Sequence, residues 1–294
     1  MLCCPHPQDG NCLIEKRRTA KPSAVTGRCR LCHNVDYLCD SHLMPAALYR
    51  LLRSRTVNPR DPLTITTRST FQTSRQVSEY LLCVDCENRF HRYGEEWVLR
   101  HCYRAGEGFA LRDVVLNGKL LDDGPTAKFY STKSNVHIDS AALAFFATSI
   151  FWRAAAHRWR FLGNFADNPI GLGPYQELLR KYLLGQGSFP KSAALWVWVS
   201  SYEKPSRVVT TPHSARIWNC HAHSFDIPGM RFDLFLGRTL PEFVRLCCIV
   251  KGPERPIIVF DAPDNILATQ LGELRQTTQL SRALQEKGKW SWSL

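Results

Sequence analysis

Two cysteine pairs with the same spacing constrain this chain more than any other feature. Cys29 and Cys32 form the first C-x-x-C pair, and Cys83 and Cys86 form the second. Each pair puts two thiols on one tight turn, and two pairs supply the four ligands of a tetrahedral zinc site. We predict one structural Zn(II) held by these four residues, with Cys39 as the spare ligand. The alternative is two unrelated buried or redox-active pairs.

A closed four-cysteine site stabilises a fold and leaves no position open for water or substrate. Its expected role is to hold together a region too small to build its own core. Catalytic groups are therefore expected beside the cysteines and not among them.

Composition places the chain among globular proteins, with 44% hydrophobic and 22% charged residues in a length of 294. The longest apolar stretch, Ala141 to Trp152, is shorter than the roughly 20 residues that a membrane helix needs. Residues 1–20 lack the pattern of a secretory signal. We predict a cytoplasmic protein without a membrane partner, in which the twelve cysteines favour metal binding over disulfides.

The charge balance predicts a nucleic-acid partner. The formal net charge is +12, and such an excess attracts phosphate backbones without reading sequence. Arg153, Arg158 and Arg160 are the candidate phosphate contacts. A generically basic surface is the alternative.

Local patterns predict an α+β protein with helices and strands in separate parts of the chain. The expected helices cover residues 45–53, 87–102, 139–160 and 174–184. Asp139 or Ser140 is expected to cap the third of these helices, and Gly185 is expected to end the fourth. The expected strands cover residues 63–67, 195–201, 207–211, 215–223, 231–236 and 256–261, and we expect the strands of the second half to form one antiparallel sheet.

The turn signal Asp122 to Pro125 (DDGP) suggests a domain boundary. The predicted segments are a flexible basic leader at 1–27, a zinc-stapled module at 28–122 with an insertion at 46–82, an α+β domain at 123–275 and a C-terminal tail at 276–294.

Three side chains beside the cysteines are candidates for chemistry. Glu87 and His91 are four residues apart, so on a helix they share one face about 5 to 6 Å apart. His42 follows the first pair and would be brought near them by the zinc. Together they are suited to binding a divalent cation or activating a water. A solvated helix-face pair and a histidine that caps a helix are the simpler interpretations.

The order of these elements carries a resemblance. C-x-x-C, then Ser-His-Leu-Met-Pro, then Leu-Leu-Cys-x-x-Cys-Glu resembles the ββα-metal core of HNH (His-Asn-His) endonucleases with a treble-clef zinc knuckle, over about Arg28 to Trp97. The run is also similar to a group of uncharacterised bacterial HNH-like proteins. The implied fold is a small treble-clef module followed by a helix-plus-antiparallel-sheet domain.

The resemblance also implies roles. His42 would be the general base, Glu87 a metal ligand and His91 a further ligand of one catalytic Mg(II) or Mn(II). Asn58 is the nearest match to the middle asparagine, with Gln76 as the alternative. The implied activity is hydrolysis of nucleic acid, with DNA as the favoured substrate.

This chain departs from the HNH pattern just before the base. It has Ser41, a poor metal ligand, where those enzymes usually have Asp or His, and Asp40 is one residue out of register. A zinc-binding nucleic-acid or protein adaptor without catalysis is therefore the second hypothesis.

Overall fold

The computed structural model describes residues 25–52, 63–65, 69–72, 75–133, 135–161, 164–165, 170–260 and 279–280. Asn58, residues 1–24 of the predicted leader and most of the predicted tail lie outside this part of the chain.

The strands are β1 (Val25–Arg28), β2 (Val35–His42), β3 (Leu63–Ile65), β4 (Ser69–Gln72), β5 (Ser78–Cys83), β6 (Leu120–Asp123), β7 (Ala127–Tyr130), β8 (Arg160–Phe161), β9 (Asn164–Phe165), β10 (Ala193–Ser200), β11 (His213–Ile217), β12 (Cys220–Ile227), β13 (Met230–Leu236), β14 (Ile257–Phe260) and β15 (Gln279–Leu280). The helices are α1 (Ala46–Leu52), α2 (Val84–Phe90), α3 (Glu96–His101), α4 (Ala110–Leu116), α5 (Ser140–Ala156), α6 (Tyr175–Leu184) and α7 (Glu242–Leu246), and a π-helical turn at His91–Glu95 joins α2 to α3.

The first half is built on a small sheet in the order β1-β2-β5, with both strand pairs antiparallel. Val25 to Gly27, the end of the predicted leader, belong to β1. Helix α2 begins directly after β5 and packs back on β2. The predicted helix at 87–102 therefore begins three residues earlier, at Val84.

The second half is built on a seven-stranded sheet in the order β11-β12-β13-β10-β14-β7-β6. Neighbours are antiparallel except for β10 and β14, which run parallel, so the sheet is mixed and not purely antiparallel as predicted. The α+β class is confirmed.

Helix α5 lies against one face of this sheet and is buried along most of its length. Its Phe146 packs against Phe225 and Phe232, with ring centroids 6.2 Å and 5.6 Å away. The predicted cap is confirmed, since the Ala142 amide donates to Asp139 Oδ1 at 2.8 Å. The helix ends at Ala156, four residues earlier than predicted.

The strand predicted at 215–223 is wrong because the chain reverses inside it. Ile217 pairs with Cys220 across a two-residue turn, and both turn residues, Trp218 and Asn219, have positive φ angles of 47° and 61°. Such a turn joins antiparallel strands whose twist it matches. Residues 207–211, also predicted as a strand, have no strand structure.

The two halves share one continuous hydrophobic core that includes Leu31, Phe90, Phe146 and Val197. The π-helical turn packs closely on α5, where a Cβ on Gly94 would lie 2.8 Å from the backbone of Phe146. The Asp122 to Pro125 turn joins β6 to β7 within the large sheet, and the division of the chain at this point stays a prediction.

Among the described helices, none combines the length and the apolar character needed to cross a bilayer.

Candidate metal centre

The four predicted zinc ligands converge. The sulfur atoms of Cys29, Cys32, Cys83 and Cys86 all lie within 4.8 Å of one another, and all four cysteines are free thiols. Cys32 Sγ lies 3.8 Å from Cys83 Sγ. A tetrahedron with Zn–S bonds of about 2.3 Å has edges of about 3.8 Å, so the thiols present fit a zinc ion.

The first pair is held by the turn between β1 and β2. The Cys29 amide donates to the Asn34 carbonyl at 2.8 Å, and the His33 amide donates to the Cys29 carbonyl at 2.9 Å. His33 closes this turn in the left-handed region, with φ of 67°. The tight turn brings two thiols only three residues apart to the same side.

The second pair lies at the junction of a strand and a helix. Cys83 ends β5 and occupies the N-cap position of α2, and Cys86 lies in the first helical turn. The free amides and the dipole at a helix N-terminus favour negative charge there. This junction therefore suits two thiolates. Two ligands thus come from the turn of the β1–β2 hairpin and two from the start of α2, an arrangement compatible with the predicted treble clef.

The thiols influence one another. The pKa of Cys29 is lowered to about 4, chiefly by the hydrogen bond from the Cys86 thiol, while burial opposes this shift. The same interaction raises the pKa of Cys86, and burial raises the pKa of Cys83 to about 11. Four thiols in one cluster resist ionising together, and a bound dication supplies the charge that removes this resistance.

Helix α6 supports the first turn from outside. The Arg180 Nη1 donates to the Leu31 carbonyl, between the first two cysteines. Glu177 holds the same guanidinium through two contacts of 2.7 and 2.8 Å. The second half of the chain thus stabilises the turn that carries the first two cysteines of the cluster.

The predicted catalytic side chains lie on three elements. Glu87 directly follows Cys86, whereas the β2–β5 register places His42 opposite Ser78, at the other end of β5 from Cys83. His42 is the last residue of β2 and is half-buried, and its carbonyl accepts a hydrogen bond of 2.7 Å from Arg153 Nη1. Glu87 lies in α2, and its buried Oε1 has no hydrogen-bond partner among the described residues. His91 is exposed in the π-helical turn.

Neither candidate for the middle asparagine is placed as a functional group. Asn58 lies outside the described residues. Gln76 is half-buried just before β5, and its Oε1 is buried without a hydrogen-bond partner among the described residues.

Ser41 has a structural role. It is 1% exposed, its Oγ accepts a hydrogen bond of 3.1 Å from the Leu82 amide, and it contacts the Cys39 carbonyl at 3.4 Å. The β2–β5 register shifts next to Cys39, and the hydroxyl occupies this irregularity. Ser41 therefore supports the pairing of β2 with β5.

In the part of the chain that the structure describes, the cysteine cluster is the one group of three or more His, Cys, Asp or Glu side chains close enough to share an ion. Glu87 and His91 do not gain a third ligand within that part, and a two-ligand cation site there stays a prediction. His221 and His223 share a face, with ring centroids 4.6 Å apart, and no third ligand joins them among the described residues.

The sequence-based interpretation of Arg153 is wrong. Arg153 was expected to contact phosphate, but its side chain is 1% exposed and is paired with Glu95. The sequence contained a signal that Arg153 is buried, because this residue directly follows the apolar run of α5, a helix that is buried on all sides. Arg158 and Arg160 are exposed.

No family model matches the chain, and the searches of curated proteins and of solved structures found no similar protein. The candidate zinc centre therefore rests on the geometry of its own four cysteines.

Proposed function

We propose that this protein is a metal-dependent HNH-like endonuclease that hydrolyses phosphodiester bonds of nucleic acid, with DNA as the favoured substrate. One observation carries the proposal. β5 and α2 supply Cys83 and Cys86 to the cysteine cluster, β2 pairs with β5 and ends in His42, and α2 carries Glu87, whose buried carboxylate oxygen has no partner among the described residues. Two strands and a helix with these groups form the frame that the sequence resemblance implies.

Glu87 supplies the argument for a second cation. A buried carboxylate oxygen without a hydrogen bond costs about 1–3 kcal/mol or more, and a bound cation would remove that cost. Negative charge on Glu87 also contributes, after burial, to the raised pKa of the nearby Cys39 thiol. Glu87 and His91 would hold Mg(II) or Mn(II), which when bound stabilises charge on a phosphate oxygen.

His42 supplies the argument for a general base. A neutral imidazole has a free ring nitrogen and is suited to accepting a proton from water. Its backbone is tied to α5 by Arg153 Nη1, so the end of β2 is fixed in position. Preorganisation of this kind is what a catalytic base requires.

The test is a cleavage assay on supercoiled plasmid and on single-stranded DNA with Mg(II) or Mn(II). His42→Ala is expected to abolish cleavage with bound zinc unchanged, and Glu87→Gln to reduce it. His137→Ala is the matched control, because His137 is an exposed histidine outside this frame. Equal cleavage by wild type and His42→Ala, or none by wild type across both metals and substrates, would contradict the proposal.

A second candidate is a zinc-stabilised adaptor that binds nucleic acid without turnover. The hydrogen bond from the Leu82 amide to Ser41 favours this candidate, because the position that usually carries a metal ligand in HNH enzymes holds a residue that supports the pairing of β2 with β5. This candidate predicts binding without cleavage, and wild-type binding that His42→Ala does not change.

A further inference from the structure

A groove of about 520 Å³ lies between the two halves of the chain, and no cysteine lines it. The run α2–π-turn–α3 forms one wall, and the start of α5 and the end of α6 form the other. Six residues on one face of the helical run line it, namely Arg89, Arg92, Tyr93, Glu96, Trp97 and Arg100. Their spacing follows the helical repeat, so they are presented together.

Two of the three arginines of this wall are available to an anion, while the Arg89 Nε donates to the Leu183 carbonyl at 2.6 Å. Arg92 is exposed and has no hydrogen bond or ion pair with the described residues. Arg100 is paired with Glu96 at 2.8 Å, but the two side chains are 63% and 51% exposed. A solvent-exposed pair of this kind is weak, so a phosphate can replace the carboxylate at little cost.

The acidic groups in the groove do not cancel this charge. Glu96 is the single acidic residue among the six of the helical wall, against three arginines. On the opposite wall, the Asp139 carboxylate accepts a hydrogen bond from the Ala142 amide at the start of α5. It is thereby used as a helix cap, where the helix dipole offsets its charge.

Aromatic rings lie between the arginines. Tyr93 is 50% exposed, and the Arg89 guanidinium lies 5.0 Å from its ring centroid. Trp97 is half-buried and is stacked on His101 at 4.1 Å. An exposed ring such as Tyr93 between cations is typical of surfaces that stack single-stranded bases and hold the backbone beside them.

We propose that this groove binds a segment of single-stranded nucleic acid, with a base stacked on Tyr93 and phosphates held by Arg92 and Arg100. The volume lies in the range of ligand sites that hold a unit the size of a nucleotide. The proposal rests on the proposed nuclease function, for which it names the surface that holds the strand.

The test is fluorescence anisotropy with a labelled oligothymidylate of about 15 nucleotides, without Mg(II) or Mn(II) so that no strand is cut. Tyr93→Ala is expected to weaken binding about tenfold, while Tyr93→Phe, which keeps the ring, stays within about twofold of wild type. Arg92→Ala should weaken binding and reduce the slope of log affinity against log salt by about 0.7.

Arg216→Ala is the matched control, because Arg216 is an exposed arginine on β11, outside the groove. Equal weakening by Arg216→Ala would assign the binding to diffuse surface charge and overturn the proposal. Wild-type affinity in both Tyr93→Ala and Arg92→Ala would also overturn it. Thermal unfolding of each variant separates lost contacts from lost fold, and the exposed Arg92 is the variant least able to disturb folding.

Two competitors test the assignment to a strand. The competitors are a duplex and thymidine monophosphate. If either displaces the labelled oligothymidylate at the same concentration as an unlabelled single strand, the assignment to a strand is contradicted. Because the assay needs no turnover, it is separable from the nuclease proposal. Groove-dependent binding with no cleavage by wild type would support this inference and refute the nuclease.

Discussion

Arg153 and Glu95 form a buried ion pair that joins the two halves of the chain. Their side chains are 1% and 13% exposed. Arg153 also donates to the His42 carbonyl at 2.7 Å, and its guanidinium lies 4.8 Å from the Phe90 ring centroid. One side chain of α5 thus contacts the end of β2, α2 and the π-helical turn.

Breaking this pair should destabilise the protein strongly. Glu95→Ala leaves the Arg153 charge buried, and we expect a loss of about 3–5 kcal/mol in the free energy of unfolding. Urea denaturation measures the free energy of unfolding of Glu95→Ala, Arg153→Leu and the double variant. We expect the loss in the double variant to be smaller than the sum of the losses in the two single variants. Arg100→Ala, which breaks an exposed pair on the next helix, should cost less than about 1 kcal/mol. If the losses of the two single variants simply add in the double variant, Glu95 and Arg153 are not coupled.

The four-cysteine cluster predicts about one equivalent of zinc. Cys86→Ser should lose the metal and unfold the first half, because metal binding and folding of such a module are coupled. Cys39→Ser is the control, since Cys39 lies near Glu87 but outside the cluster, and it should retain zinc. Elemental analysis and thermal unfolding with and without chelator measure both effects. A folded wild-type protein that contains no zinc would refute the site.

Gly94 should tolerate no side chain. Glycine to alanine in a helix normally stabilises it, but here the Cβ would lie 2.8 Å from both Cα and N of Phe146. We expect Gly94→Ala to cost about 1–3 kcal/mol through forced separation of the π-helical turn from α5. Gly187→Ala is the control, because its nearest contact would be Lys181 Cβ at 3.7 Å. Equal stability of the two variants would show that α5 shifts freely.

His223 should make the fold sensitive to acid. Burial, followed by the charges of His221 and His213, lowers the pKa of His223 from 6.5 to about 4. The folded state therefore binds fewer protons than the unfolded state between these values, and stability falls as pH drops through this window. The expected contribution is about 2–3 kcal/mol.

Equilibrium unfolding between about pH 7 and pH 4 measures this effect. His223→Phe removes the titrating group and should flatten the profile relative to wild type. Parallel profiles for the two proteins would assign the acid sensitivity to other groups.

Local interactions explain which elements were predictable. The Asp139 cap of α5 and the left-handed Gly185 that ends α6 depend on residues a few positions apart, and the structure confirms both. The turn at Trp218 and Asn219 was missed because neither residue is the glycine that usually marks positive φ.

The sequence by itself determined the candidate zinc ligands, since two C-x-x-C pairs specify four thiols whatever lies between them. Only the tertiary structure decided that Arg153 is an internal ion-pair partner and that Arg92 and Tyr93 face an open groove. The reason is physical. Whether a charge meets water, a carboxylate or a ligand depends on which face of its helix is covered, and residues distant in sequence provide that cover.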